Sequence, residues 1–153
     1  MLENRAKYVV VGLEKPSEHG WERRPLIEKI VKDSRGWIDM IVMLVNGTRI
    51  AFSGGDGVEP ERIADAASSI AEATLAVMEL FGSRKFEEID LEVQEGRHLI
   101  IRRYRGCHIA ALTKPNPNLG LIKQAFERNL ASDRPLRKMV QVAHKPAITL
   151  LVR

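Results

Sequence analysis

The stretch 62–81, RIADAASSIAEATLAVMELF, has the periodicity of a helix but is apolar around most of its circumference. At 100° per residue its apolar arc comes to about 220°, against roughly 100° for a helix that covers one core. The polar line is narrow and consists of Asp65, Glu72 and Glu79, spaced by seven. Such a helix needs two partners, and we expect one to be its own domain and the other to be the same helix of a second copy. The alternative, a helix buried inside one larger domain, fits a chain of this size less well.

Two flanks of this helix compete for the contact with a second copy. The flank we favour carries Ala64, Ala71, Leu75 and Met78. The opposite flank, with Ala66, Ala73 and Leu80, stays open as the alternative. In either case the abundant alanines would let two helix backbones approach closely, so the sequence predicts a homodimer.

The 153-residue chain has an ordinary soluble composition, with 44% hydrophobic and 29% charged residues. It contains neither a run of 18 apolar residues nor the pattern of a signal peptide, so we expect a cytoplasmic protein. The net charge of +4 is concentrated in residues 132–153, which hold five basic residues and one acidic residue. An interface for nucleic acid would more typically spread basic and aromatic residues over one face of the core. Nucleic-acid binding through this basic arm is therefore an alternative and not the leading hypothesis.

Five segments predict β-strands. Residues 37–45 (WIDMIVMLV), apart from Asp39, and residues 107–113 (CHIAALT) are apolar at both parities, which is typical of central strands covered on both faces. Residues 48–53 follow the hairpin signal Asn46-Gly47 and alternate as an edge strand would. Residues 86–94 alternate apolar and acidic residues, and a three-residue loop ending in Gly96 leads into residues 97–104. The register predicted for this second hairpin pairs Ile89 with Ile101, Leu91 with Leu99 and Glu88 with Arg102.

The order of elements is helix, two strands, helix, three strands, helix. Pro25 is predicted to open the first helix, and the break at Pro115–Asn118 precedes the last. With the two apolar strands side by side, we predict an α+β fold with a five-stranded antiparallel sheet in the order 2-1-5-4-3. The long helix would cover one face and the other two helices the opposite face. The acidic strand 86–94 would be the sheet edge that continues into the partner copy, which adds Ile89 and Leu91 to the predicted dimer interface.

No pattern in the chain predicts catalysis, a metal or a cofactor. The four histidines lack metal-ligand spacing, Cys107 is the single cysteine, and no nucleophile turn is present. The loop Gly54-Gly55-Asp56-Gly57 lacks the ending of a phosphate-binding loop and has acidic neighbours, so it is interpreted as a turn. The acidic residues of strand 86–94 are interpreted as a solvated, salt-bridged face.

Several features together resemble the Roadblock / dynein light chain family, a profilin-like α+β fold, over residues 26–130. They are Gly36 before the first strand, the Asn46-Gly47 turn, the GGDG loop before an alanine-rich helix, the Glu95-Gly96 hairpin and the run Pro117-Asn118-Leu119-Gly120-Leu121. The resemblance implies a prokaryotic or archaeal dimer joined through the long helix and the adjacent edge strand. It also implies a non-enzymatic scaffold or regulator of small Ras-like GTPases, with GTPase activation a possible role. A small-molecule sensor of the same fold is a second alternative, although bulky central strands disfavour a cavity.

The resemblance leaves an N-terminal arm, residues 1–24, and a basic C-terminal arm, residues 132–153, around a domain at residues 25–131. Each arm contains a strand-like run, at residues 8–11 and 148–152. We predict that these runs pair with each other or extend the main sheet. The basic part of the C-terminal arm is predicted to offer a surface to an acidic partner, through Arg134, Arg137, Lys138 and Lys145.

Overall fold

The computed structural model describes residues 18–55, 57–132 and 147–151. Helix α1 (Glu18–Asp33) leads to the hairpin β1 (Ile38–Val45) and β2 (Thr48–Gly54), followed by the long helix α2 (Pro60–Glu79). A meander of β3 (Glu88–Glu92), β4 (His98–Tyr104) and β5 (Cys107–Thr113) comes next. Helix α3 (Leu119–Ser132) and strand β6 (Ala147–Leu151) complete the described part of the chain. The α+β class is as predicted, and the described residues contain the three predicted helices.

The sheet has the strand order β2-β1-β5-β4-β3-β6, so the predicted order 2-1-5-4-3 is confirmed for its first five strands. β1 and β5 pair antiparallel at the centre. Their alternate residues enter two separate cores, because both faces of the sheet are covered by helices. Ile41 and Met43 belong to one core and Val42 and Leu44 to the other. This double burial explains why the strand is apolar at both parities.

The helices divide between the two faces as predicted. Helix α2 packs on one face through Ile63, Ala64, Ala67 and Ala71. Helices α1 and α3 pack on the other face, where Ile27, Ile30, Ile122 and Phe126 are almost completely buried.

Both predicted hairpins form, and the second has the register predicted for it. Ile89 pairs with Ile101, Leu91 with Leu99 and Glu88 with Arg102. The loop of this hairpin is the 3-10 turn Gln94–Gly96, in which Glu95 has φ 65° and Gly96 has φ 71°. In the β1–β2 turn, Asn46 has φ 52° and Gly47 has φ 80°, which is the backbone of the tight turn that an Asn-Gly pair favours.

Strand β6 adds a sixth strand that pairs parallel with β3. The C-terminal run therefore extends the main sheet, which is one of the two arrangements predicted for it, although it begins at Ala147. The N-terminal run at residues 8–11 lies outside the described residues. The six-stranded sheet is therefore mixed and not purely antiparallel as predicted, because β6 runs parallel to β3.

The first helix begins earlier than predicted. Pro25 lies inside α1, which starts at Glu18 and so extends into the predicted N-terminal arm. A proline inside a helix removes one backbone hydrogen bond. Pro25 is exposed, where water can replace that bond, so this position tolerates the proline and the helix continues through it.

Candidate interaction surfaces

The clearest apolar surface lies at the C-terminal end of α2. Val77 is 52% exposed, and Leu80 and Phe81 are each 80% exposed. Among the described side chains, the one other large hydrophobic residue with comparable exposure is Leu150, at 42%. The exposed face continues towards the helix start through smaller residues, Ala66, Ser69 and Ala73. We call Ala66, Ser69, Ala73, Val77 and Leu80 the α2 stripe.

The position of this stripe corrects the flank that the sequence favoured. Ala64 and Ala71 are 2% and 5% exposed because they pack in the protomer's own core. Leu75 and Met78 are partly buried against the same core. The four residues therefore form the inner side of α2, and the alternative flank with Ala66, Ala73 and Leu80 faces outwards. Both flanks are apolar, so the sequence alone had no signal to distinguish them.

The predicted role of β3 as the sheet edge is wrong for this structure. β6 pairs with all five residues of β3, from Glu88 opposite Ala147 to Glu92 opposite Leu151. Ile89 is completely buried, and Leu91 packs against the core on the α2 face. The backbone groups that would have met a second copy are therefore occupied by the chain's own C-terminal strand, a neutral run with high β-propensity.

Two acidic residues of β3, Glu88 and Asp90, form ion pairs and are mostly buried, so this part of the strand is not the solvated face predicted. Asp90 is only 4% exposed. Its carboxylate lies 2.6 Å from His98 Nδ1 and 3.8 Å from Lys123 Nζ. Glu88 contacts Arg102 and Lys123, both at 3.4 Å. The result is a network at the junction of β3, β4 and α3 in which the charges are largely compensated.

Three arginines lie close together at residues 102–105, and the side chains of Arg102 and Arg105 make contacts within the protein. Arg102 contacts Glu88 and also donates to Glu127 at 2.6 Å. Arg103 pairs in register with His108 of β5. The guanidinium of Arg105 lies over the ring of Tyr104, 5.3 Å from its centroid. These contacts stabilise the fold, and they give no reason to assign one of these arginines a role in the hydrolysis of GTP by a partner protein.

The loop before α2 has its own basic neighbour, Arg49 of β2. Its Nε and Nη2 atoms donate to Glu61 at 2.9 and 2.6 Å, and its guanidinium lies 4.8 Å from the centroid of the Phe52 ring. The positive charge of Arg49 at the first turn of α2 is thus neutralised by an acidic side chain of that turn.

The two described histidines of the sheet have different surroundings. His98 and His108 are separated along the β4–β5 pair, since His108 pairs with Arg103 near the opposite end of β4. His108 stacks on Phe86 with ring centroids 5.4 Å apart. Burial lowers the pKa of His108 below 6.5, and the charge of Arg103 lowers this pKa further. Within the described ranges, no group of three His, Cys, Asp or Glu residues is placed to hold a metal ion.

Two further predictions concern surfaces and location. The predicted partner-binding residues Arg134, Arg137, Lys138 and Lys145 lie outside the described residues. No helix in the part of the chain that the structure describes is long and apolar enough to cross a membrane.

The chain is similar in structure to several solved proteins. No family model and no curated protein sequence matches the chain. Myxococcus xanthus MglB superimposes with a TM-score of 0.68 at 15% identity, over 78% of this chain and 90% of that one. The gliding protein MglB of Thermus thermophilus gives a TM-score of 0.60 at 19% identity, over 80% and 89% of the two chains.

A third solved structure carries the fold name itself. The Roadblock/LC7 domain of Streptomyces avermitilis gives a TM-score of 0.56 at 18% identity, over 65% of this chain and 84% of that one. The strand order, the two helical layers and these superpositions agree with one another. The chain has the fold of the Roadblock/LC7 domain.

Proposed function

We propose that the chain is a non-enzymatic, homodimeric regulator that binds a small Ras-like GTPase in the cytoplasm. The observation that carries the proposal is the fold, which matches MglB structures over about nine tenths of their length. The resemblance of the sequence to the Roadblock / dynein light chain family implies a regulator of such GTPases. The motifs that carry this resemblance belong to a chain with the Roadblock/LC7 fold. The described polar clusters are occupied by internal ion pairs, which supports a binding protein more than a catalyst.

The α2 stripe supplies the physical reason to expect a dimer. Ala66, Ala73, Val77 and Leu80 fall within about 60° of the helix circumference at 100° per residue. Leaving Leu80 or Phe81 in water forgoes roughly 1.5–3 kcal/mol each compared with full burial. A second copy is the most economical cover, because one self-complementary patch then buries both stripes. One of the matching structures is an MglB with a tetrameric arrangement, so assembly occurs among proteins of this fold.

The sizes of the side chains along the stripe favour one geometry for the pair. Small residues occupy its N-terminal half and large residues its C-terminal half. If two α2 helices pack antiparallel about a two-fold axis at Ala73, Leu80 of one copy meets Ala66 of the other, and Val77 meets Ser69. Large side chains then face small ones throughout, which permits close helix packing. A parallel pair would instead place Leu80 against Leu80 and leave the small halves apart.

The sheet contributes differently from what the resemblance implies. Since β6 occupies the outer edge of β3, a continuous sheet through two β3 strands is not available to the protomer described here. The proposed dimer therefore relies on the α2 stripe. A GTPase partner would then bind to the surface of the dimer outside the α2 stripe.

A pull-down with nucleotide-loaded GTPases tests the function. Each small Ras-like GTPase of the source organism is immobilised with GDP or with a non-hydrolysable GTP analogue and incubated with the full chain. We expect retention by one GTPase in a nucleotide-dependent manner, and faster phosphate release if the protein also activates hydrolysis. Equal, background-level retention on every GTPase in both nucleotide states would reject the proposal.

A further inference from the structure

Strand β6 differs from the other strands of the described sheet in its direction, because it is the one that runs parallel to its neighbour. β6 pairs with β3 alone, in a parallel ladder of five residues at the sheet edge. Leu150, the β6 residue whose side chain is described, is 42% exposed. A short edge strand of this kind opens at a lower free energy than the strands inside the sheet.

The charges along β3 select what can lie at its edge. Glu88, Asp90 and Glu92 alternate along one side of β3, and Glu87 and Glu95 lie just beyond its ends. A second β3 in antiparallel alignment about Asp90 would bring Glu88 opposite Glu92 and Asp90 opposite Asp90, and this repulsion would be offset only by the contacts that Glu88 and Asp90 already make within the protein. The β6 sequence, AITLL, is uncharged and has Lys145 before it and Arg153 after it. In charge and in β-propensity, this segment is a better occupant of the edge than a second β3.

We propose that the outer edge of β3 is a strand-acceptor site for the segment Ala147–Leu151, and that a second copy of the chain can donate this segment in place of the chain's own. Strand addition at a sheet edge is a recurrent recognition mode, in which the backbone hydrogen bonds supply the affinity. The 14 residues between α3 and β6 can span at most about 46 Å when extended, which is enough to reach a neighbouring molecule. The inference rests on the β3–β6 pairing and is independent of any GTPase.

Cysteine pairs in register give the direct test. Leu91 and Leu150 are register partners, and neighbouring strands lie about 4.8 Å apart, so cysteines at these two positions are within disulfide range. In a Cys107→Ala background, the full-length double variant Leu91→Cys/Leu150→Cys should close within one chain. A mixture of full-length Leu91→Cys and Leu150→Cys chains should form a disulfide-linked heterodimer, seen on a non-reducing gel with tags of different size.

The control shifts the donor cysteine out of register. Ala147 is three residues from Leu150, so a cysteine there lies about 10 Å along the strand from the partner of Leu91. We expect at least about tenfold less heterodimer from the Leu91→Cys and Ala147→Cys mixture, because that separation exceeds the reach of a disulfide. Equal yields from the two mixtures would show that β6 is not exchanged between copies. Failure of the double variant to close in one chain would overturn the β3–β6 pairing on which the proposal stands.

A peptide experiment uses the wild-type chain, in case the cysteine variants do not fold. A fluorescent peptide of residues 145–153, KPAITLLVR, is titrated with the full chain and followed by anisotropy. Successive amides of a strand point in opposite directions, so of two peptides N-methylated at Thr149 or at Leu150, one should bind at least about fivefold more weakly and the other should be unaffected. Loss in both, loss in neither, or no binding of the parent peptide contradicts the proposal.

Discussion

Asp90 of β3 and His98 of β4 meet at the junction of the sheet with α3, with 2.6 Å between the carboxylate Oδ1 and the imidazole Nδ1. The side chain of Asp90 is 5% exposed and that of His98 is 13% exposed. An ionised carboxylate can only accept, so the Nδ1 atom carries the hydrogen of this bond. A charged strand residue is thereby kept inside the fold by one neighbour, with Lys123 adding a second, longer contact.

Replacing Asp90 with alanine should lower the free energy of unfolding by about 1–3 kcal/mol, because the buried imidazole loses its acceptor. Asp90→Asn keeps an acceptor oxygen and should be less damaging. Urea denaturation of the two variants measures the difference. Glu127→Ala is the matched control, since it removes a 67% exposed carboxylate that pairs with Arg102; its effect should stay within about 0.5 kcal/mol. Equal losses in the Asp90→Ala and Glu127→Ala variants would show that burial of the Asp90–His98 pair does not matter.

His108 should make stability depend on pH on the acid side of neutrality. Burial and Arg103 lower the pKa of His108 in the folded protein below 6.5, so below that pH the unfolded chain binds a proton that the folded one does not. The contribution of this histidine to stability is therefore full above pH 6.5 and falls as the pH drops towards the folded pKa. Melting curves between about pH 7.5 and pH 5 should show a smaller decline for His108→Phe, which keeps a ring to stack on Phe86.

The pH experiment has an internal check. Arg103→Gln removes the smaller of the two causes, so it should reduce the acid-side decline without abolishing it. If His108→Phe declines as steeply as the wild type, other groups account for the pH dependence.

The α2 stripe should determine the oligomeric state. We expect the wild-type chain to have twice its 17.2 kDa mass in light scattering at micromolar concentration. Leu80→Glu places a charge where Ala66 of the second copy is expected, and it should give a monomer. Gln124→Glu adds the same charge on α3 and should leave the mass unchanged. A wild-type mass of 17.2 kDa would end the dimer proposal, whereas dimers of both variants would reject only the α2 geometry.

The layout of the sheet could be predicted from the sequence because burial leaves a periodic signal. Strands β1 and β5 are apolar at both parities, and each is covered by helices on both faces. The Gly96 turn indicated the register of the second hairpin, since a turn of defined length leaves one pairing that keeps apolar residues on the same side. No register was predicted for the first hairpin, and its pairing shifts at a bulge between Met43 and Leu44. The strand order then depended on little more than which strands are central.

The exposed surfaces were harder to predict, because the same apolar or acidic pattern fits either a contact within the protomer or a contact with another molecule. The long helix is apolar on both flanks, and only its contact with the sheet decides that Ala71 is inside and Ala73 outside. The acidic strand has the pattern of an exposed edge, yet β6 and α3 cover it from two sides. Neither cover is adjacent to β3 in the sequence. An acidic residue such as Asp90 in a strand is therefore a less reliable sign of solvent exposure when a histidine on the neighbouring strand can pair with it.

The adjacent glycines Gly54, which ends β2, and Gly55, which follows it, should differ in their tolerance of the same substitution. A Cβ at Gly54, which has φ 138°, would lie 2.5 Å from the carbonyl oxygen of Asp39 and 2.7 Å from Met40 Cα. These contacts are with the backbone of β1, so Gly54→Ala should lower the melting temperature markedly. A Cβ at Gly55 would meet nothing within 4 Å, and Gly55→Ala should change the melting temperature little. Equal tolerance at both positions would mean that β2 does not end against β1 as described.

Removal of strand β6 should destabilise the fold and expose an aggregation-prone edge. Deleting residues 147–153 strips β3 of its parallel neighbour, at a cost of roughly 0.5–1.5 kcal/mol for each backbone hydrogen bond lost. We expect a lower melting temperature and greater aggregation than for the full chain, because an unpaired edge is a template for other strands. A full-length Arg153→Gln variant controls for the positive charge that the deletion removes, and it should retain most of the stability. If the truncated protein has the same melting temperature as the full chain, β6 does not stabilise the domain, and the strand is a tail rather than part of the sheet.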